Sequence, residues 1–382
     1  MLALAQHIVQ MPRSGIREIM DLASTLPGVI HLEVGEPSFE TPAHIVEAAC
    51  EAARQGYTKY TPNTGLLSLR EKLVGKLQRV NGVSVSPENV VVTAGAVCGL
   101  ATSLMAVVEP GDEVLIPDPG WPNYESMVAI THGVLRRYSL RPAEGFLPNQ
   151  ATVEEGISSR TKAIVINSPS NPTGAVFPRE VMGWLVRLAQ KHGIFLVSDE
   201  VYEDVVFDGE HVSALSFGDG GDRVIGVFGF SKSYAMTGWR LGYVVASREI
   251  AAAVGKLQEP LVSCASAVSQ KAAEAALDGP QDCVAQMREA YRRRRDLAAG
   301  LLMQHGVDFL LPSGTFYLMV DISRSGVDSY TFAKTLLKET GVAVAPGATF
   351  GPGARDYVRL SLATSDEQLA EGINRLAVFL AA

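Results

Sequence analysis

Six short apolar runs rich in β-branched residues alternate with amphipathic stretches through the middle of this chain, and that alternation limits the fold more than any other feature. The runs are ENVVVTAG, DEVLIPD, TKAIVINSP, GIFLVSDE, DRVIGVFGF and LGYVVAS, ending near Ala94, Asp118, Asn167, Asp199, Phe230 and Val245. Each is bounded by Gly, Asp or Pro, and continuous apolar runs of this length suit strands buried on both faces. Between them lie helical patterns such as REVMGWLVRLAQKHG, closed by Gly193. Strands alternating with helices predict an α/β fold with a mostly parallel central sheet flanked by helices. Upstream, Thr41 and Pro42 predict a helix to about Gln55 with Thr41 as its N-cap, and a second helix runs from about Leu66 to Val80.

The pattern changes after about Gln270. A long helical stretch leads to GVDFLLPSGTFYLMVDIS, a helix over 330–340, a strand near Val342, then YVRLSLA and a last helix, which reads as a smaller α+β unit. The expected organisation is an arm at 1–45 that joins the small unit, a large unit at 46–270 and a small C-terminal unit at 271–382. With 382 residues, 47% of them hydrophobic, the chain can bury two such cores.

Charge narrows the partners. The net charge of −8 disfavours nucleic acid and acidic membranes, whose binders carry a basic footprint. The one dense basic run, Arg292 to Arg295, sits in a helical pattern and is expected to be a solvated face or an interface. Cys50, Cys98, Cys264 and Cys283 are far apart, which suggests neither a disulfide framework nor a zinc site and favours a reducing compartment. The opening stretch MLALAQHIVQMPRSG has no basic leader, and no apolar run is long enough to span a membrane, so a cytoplasmic location is expected.

In open α/β sheets ligands gather beyond the carboxyl ends of the strands. There this sequence carries Gly95, Ala96 and Val97 opening a helix, Trp121 in DPGWPNY, Asn171 in NSPSNPTG, Asp199 and Tyr202 in SDEVY, and Lys232 and Arg240 in GFSKSYAMTGWRLGY. Singly each has a plain structural reading: a turn glycine, a strand-end cap, a core aromatic, a surface lysine. Together they supply what a pyridoxal phosphate site needs: a lysine for a Schiff base, an acid for the pyridine nitrogen, an aromatic ring to stack and donors for a phosphate.

From LEVGEPSFETP to VRLSLATS, with SDEVY, NPTG and SKSYAMTGWRLGY in order between them, the chain resembles the class I/II aminotransferases of the pyridoxal-phosphate fold type I superfamily. It is most similar to the bacterial aspartate aminotransferase-like subgroup. The resemblance implies the cofactor pyridoxal 5′-phosphate, no metal, and ping-pong transamination between an L-amino acid and a 2-oxo acid through a Schiff base on Lys232. Asp199 matches the acid at the pyridine nitrogen, Tyr202 and Asn171 the pair at the phenolic oxygen, and Trp121 the stacking ring. Arg240 and the Gly95–Ala96–Val97 turn match the phosphate cradle, with Ser231 as a further donor; where many relatives have a second serine this chain has Gly229. Arg359 matches the arginine that grips the substrate α-carboxylate, and Gly35 resembles a backbone contact to the same group. Trp121 and Asn171 would also face the substrate. Tyr60 resembles a tyrosine that reaches the neighbouring subunit's phosphate, which implies a homodimer with shared active sites.

Substrate choice stays open at this level. Aspartate-preferring relatives carry a lysine where this chain has Val97, which weakens a dicarboxylate preference. Arg17 in SGIREIMD could supply the missing charge, while Phe316, Tyr317 and Phe350 could line an apolar pocket. The alternatives are an aspartate-specific aminotransferase, a carbon–sulfur β-lyase on the same fold, and a non-enzymatic regulator, for which the segment before Leu32 is too short to hold a DNA-binding domain.

Overall fold

A computed structural model of the chain describes residues 4–381 apart from 10, 12 and 13, so part of the apolar opening stretch lies outside the described residues. The strands of the large sheet are β1 (Val90–Thr93), β2 (Glu113–Asp118), β3 (Val134–Ser139), β4 (Thr161–Asn167), β5 (Phe195–Asp199), β6 (Val224–Gly229) and β7 (Gly242–Val245). Their order is β1-β7-β6-β5-β4-β2-β3, parallel throughout except for β7, which runs antiparallel to both neighbours. All six predicted runs are strands. The seventh, β3, gives no such signal, because VLRRYS sets two adjacent arginines after a single apolar pair and buries only Tyr138. It forms the sheet edge, where Arg136 pairs with Glu113 and Arg137 with Glu125. Charges of this kind keep an edge from pairing with another chain.

Both faces of the sheet are covered. Helices Ala96–Val107, Asn123–Ile130 and Arg248–Val262 enclose one core with Val91, Val165, Val197 and Val227. On the other face Ile164, Ile166 and Leu196 pack against helix Arg179–His192, which ends at Gly193 with φ +68° in the left-handed region that glycine enters freely.

A second sheet is small and antiparallel. It holds β8 (Phe309–Leu310), β9 (Tyr317–Asp321), β10 (Ala345–Pro346) and β11 (Tyr357–Ser361) in the order β10-β11-β9-β8. Its core draws on helices Asp282–Gln304, Ser329–Thr340 and Asp366–Ala381 and on Ile19, Ile30 and Leu32 from the start of the chain. Ile30–His31 pairs in parallel with Val342–Ala343, which stitches the N-terminal part to this layer.

Two local expectations need correction. The helix after Thr41 spans Ala43–Arg54 with Pro42 at its N-cap. The Thr41 hydroxyl instead donates to the Ala235 carbonyl at 2.7 Å and accepts the Trp239 indole N–H at 3.0 Å, so it ties the loop after Lys232. The basic run is a solvated face only in part. Arg294 and Arg295 are buried, Arg294 bonding Asp366, the Ser38 hydroxyl and the Leu362 carbonyl, and Arg295 bonding Asp208 and Asp296. A buried guanidinium needs that many acceptors to offset its desolvation.

Candidate active site

The parallel strands point their carboxyl ends to one edge of the large sheet, and a cavity of about 420 Å³ opens there against the small layer. It is lined by Gly35, Ala96, Val97, Trp121, Asn171, Asp199, Tyr202, Ser231, Lys232, Arg240 and Arg359, so residues 35 to 359 of the sequence converge on one space. Two expected residues do not line the cavity of their own chain: Gly95, buried at the N-cap of helix Ala96–Val107, and Tyr60, which is 87% exposed.

Asp199 closes β5 and forms the floor. Burial pushes its carboxyl up to about 6, while hydrogen bonds from the Tyr124 hydroxyl and the Val201 N–H oppose the rise. The Tyr124 oxygen lies 2.6 Å from Asp199 Oδ2, and its ring meets Trp121 edge-on at 5.4 Å. Lys232 follows β6 and donates from Nζ to the Gly35 carbonyl at 2.6 Å. Burial pulls its amine down to about 8, Glu36 raising it and Arg359 and Arg240 lowering it further.

Arg359, in the middle of β11, is 2% exposed. Its Nη1 donates to Asn171 Oδ1 at 2.9 Å and its Nη2 to the Glu33 carbonyl at 2.6 Å, whereas its buried Nε has no partner among the described residues. The guanidinium is flanked by the rings of Tyr317 and Phe350, 4.0 and 4.9 Å from their centroids. Phe350 and Phe316 were expected to line an apolar pocket. They are buried behind it instead, Phe350 against Arg359 and Phe316 with its ring 5.7 Å from Lys232 Nζ, and only Tyr317 of the three reaches the cavity. The Tyr317 hydroxyl meets that of Tyr202 at 2.9 Å.

The mouth fits an anion. Gly95 caps helix Ala96–Val107 at φ +83°, and the first N–H groups of any helix lack intrahelical partners. A Cβ at Gly95 would lie 2.7 Å from Arg240 Nη2, so only glycine lets that guanidinium come so close. Arg240 itself has φ +50°, a costly conformation for a residue with a side chain, and its Nη1 donates to the Thr237 carbonyl at 2.8 Å. An acid at the floor, a lysine whose amine is pulled down to about 8 and a helix start beside an arginine match the ring nitrogen, the aldehyde and the phosphate of pyridoxal phosphate. The residues present fit that cofactor.

Two contributors escaped the sequence reading, Tyr124 and Asn167. Asn167 closes β4, donates from Nδ2 to the Asp199 carbonyl at 2.9 Å and accepts the Asn171 N–H at 2.7 Å. Both stand where a signal existed, one as a polar residue ending a buried strand and the other three residues after Trp121.

Comparison with known proteins agrees with this geometry. The family model for aminotransferase class I and II matches residues 27–376. The aspartate/prephenate aminotransferase of Thermus thermophilus is 42% identical over 352 residues, covering 91% of this chain and 90% of that protein. A solved double mutant of Thermus thermophilus aspartate aminotransferase has a TM-score of 0.95 at 40% identity, covering 99% of this chain and 100% of that one. An aromatic aminotransferase of Pyrococcus horikoshii reaches 0.91 at 37% identity, covering 96% and 98% of the two chains. The chain belongs to the class I and II aminotransferases.

Proposed function

We propose that the cavity is the catalytic site of a pyridoxal-phosphate-dependent L-amino acid:2-oxo acid aminotransferase with a ping-pong cycle. The observation that carries the reading is the meeting of Lys232, Asp199 and Arg359, from three distant parts of the chain, in one cavity. When bound, the cofactor supplies an electrophilic carbon and an electron sink for the substrate's Cα. Lys232 would hold it, Asp199 would face its ring nitrogen, and Tyr202 and Asn171 its phenolic oxygen. Trp121 would stack on the ring, and Arg240, Ser231 and the N–H groups after Gly95 would grip its phosphate.

The remaining work falls to the protein's own groups. Arg359 binds the α-carboxylate, with Gly35 beside it, and orients the substrate Cα toward Lys232. An amine whose pKa is about 8 is about 10% neutral at pH 7, several hundred times more than an ordinary lysine, so Nζ can accept the Cα proton. Asp199 is ionised above about pH 6, which leaves it anionic when Lys232 is needed as a base.

The large unit at 46–270 would hold the cofactor, and the small unit at 271–382, joined by 1–45, would bring Arg359 to the substrate and close over it. A homodimer is supported by the exposure of Tyr60 and Leu261, whose segments are joined by the bond from the Thr61 N–H to Cys264 Sγ. Four free cysteines favour a cytoplasmic protein.

The test is spectroscopic. The visible band of the reconstituted protein should disappear on adding an L-amino acid and return on adding a 2-oxo acid. Release of pyruvate and ammonia from cysteine-type donors without an acceptor would refute transamination in favour of β-elimination.

A further inference from the structure

We propose that Lys76 is a positioning residue for Tyr202. With Asn81 it clamps the Glu203 carboxylate behind the turn that carries Tyr202, and so fixes the hydroxyl that faces the cofactor's phenolic oxygen. The proposal rests on the aminotransferase reading and extends its machinery to residues that do not line the cavity.

Three acids, Glu200, Glu203 and Asp204, stand close to Tyr202 in the turn after β5. Tyr202 reaches the cavity, with its ring edge-on to Phe316 and Tyr317, whereas the three acids do not. Each acid has its own partners. Glu200 accepts from the Ser198 hydroxyl and the Ala214 N–H and meets the His211 ring at 2.9 Å, and Asp204 bonds Ser233. Glu203 is gripped at both oxygens, Oε1 by Lys76 Nζ at 2.5 Å and Oε2 by Asn81 Nδ2 at 2.8 Å. Lys76 Nζ also donates to Asn81 Oδ1 at 2.9 Å, which closes a triangle, and it lies 5.2 Å from the centroid of the Phe228 ring on β6, the strand that leads to Lys232. The Glu203 N–H donates to the Glu200 carbonyl at 3.1 Å and the Val205 N–H to the Tyr202 carbonyl at 2.8 Å. A shift at Glu203 is therefore carried to Tyr202 by the backbone of the turn.

The helix that supplies the clamp departs from regular geometry to do so. Lys76 ends helix Leu67–Lys76, and Leu77–Asn81 continue it as a π-helical turn closed by Gly82 at φ +66°. In an α-helix residues five apart point about 140° away from each other. The wider π turn brings Lys76 and Asn81 to one side, where both reach the same carboxylate. Stability is a poor reason for such a pair, because desolvation consumes most of the attraction between buried charges and apolar side chains of similar volume often hold a fold as well. What the clamp adds is direction: two hydrogen bonds on the Glu203 carboxylate, braced by a third between their donors, next in sequence to the tyrosine.

The test compares holoenzymes of wild type, Lys76→Met, Lys76→Arg, Tyr202→Phe and the paired change of Lys76→Met with Glu203→Met. The paired change leaves neither charge buried alone, so its urea midpoint without cofactor should stay near that of wild type even where Lys76→Met unfolds. Its kcat should nonetheless fall about tenfold with KM within twofold, the signature of misplacement rather than lost binding. The second readout needs no turnover. Withdrawing the Tyr202 hydroxyl leaves more negative charge on the phenolic oxygen, so the pH midpoint of the visible band should rise about one unit in the paired change, as in Tyr202→Phe. Adding Tyr202→Phe to the paired change should raise it no further, and Lys76→Arg should keep the wild-type midpoint. A paired change with wild-type kcat and band midpoint, or a midpoint shift that adds to that of Tyr202→Phe, overturns the proposal while the aminotransferase reading stands. A wild type with neither band nor turnover overturns both.

Discussion

Replacing Asp199 by Asn in the cofactor-free protein isolates the electrostatics of the cavity floor without any need for turnover. The carboxyl sits at about 6 in the folded chain and near 3.8 when unfolded, because burial disfavours its charged form. The folded state therefore holds this proton more tightly. The resulting stability is complete below about pH 3.8 and is lost as pH climbs through about 6. Integrated from pH 4 to pH 7 at about 1.4 kcal/mol per unit, the loss comes to roughly 2 kcal/mol. Asn does not ionise, so Asp199→Asn lacks that slope. The substitution also alters the contacts with Tyr124 and Val201, but those changes do not depend on pH and cancel when the wild-type-minus-variant difference is compared at two pH values. Lys232 titrates near 8 and adds little below pH 7. Urea unfolding followed by circular dichroism at pH 4 and pH 7 is the assay. Asp199→Asn should gain roughly 2 kcal/mol on wild type between them. A difference that stays constant, or moves the other way, refutes the account of a desolvated, ionised floor.

Four other substitutions probe the remaining parts. Lys232→Ala should abolish turnover and the visible cofactor band, both read in a spectrophotometer. Arg359→Lys replaces a buried fork by a point charge, and losing about 3 kcal/mol of charge-assisted hydrogen bonding should lower kcat/KM about a hundredfold for every amino donor. Tyr124→Phe removes the donor that holds the Asp199 carboxyl down, so its pKa rises and activity should begin to fail about one pH unit higher on the acid side of the kcat/KM profile. Gly95→Ala puts a Cβ 2.7 Å from Arg240 Nη2 at a backbone of φ +83°, and should weaken pyridoxal phosphate binding about tenfold in reconstitution titrations.

The strands of the large sheet were legible because they are buried on both faces, and a strand with two apolar faces reads as an unbroken run of Val, Ile and Leu. β3 was illegible for the converse reason. It lies at the edge, so its arginines answer Glu113 and Glu125 rather than the core. Arg294 and Arg295 mislead in the same way: a charge run predicts solvent until the acceptors arrive, and Asp366 and Asp208 lie 72 and 87 residues away in sequence.

The site shows the same limit at closer range. Each reacting residue stands directly after an apolar run, so the chemistry could be read one strand end at a time. What cannot be read that way is which strand ends touch. β4 and β5 are parallel neighbours in a register that sets Asn167 opposite Asp199. That pairing lets the Asn167 amide reach the Asp199 carbonyl while its oxygen holds the Asn171 N–H, and Asn171 in turn accepts from Arg359. Asp199 at the floor and Arg359 are thus tied through two asparagines, Asn167 and Asn171, although they come from different sheets. Nothing in TKAIVIN distinguishes Asn167 from a polar cap until the strand order is known. Exchanging it for an apolar residue would leave the strand's pattern intact while freeing the Asn171 loop on which the Arg359 guanidinium is braced.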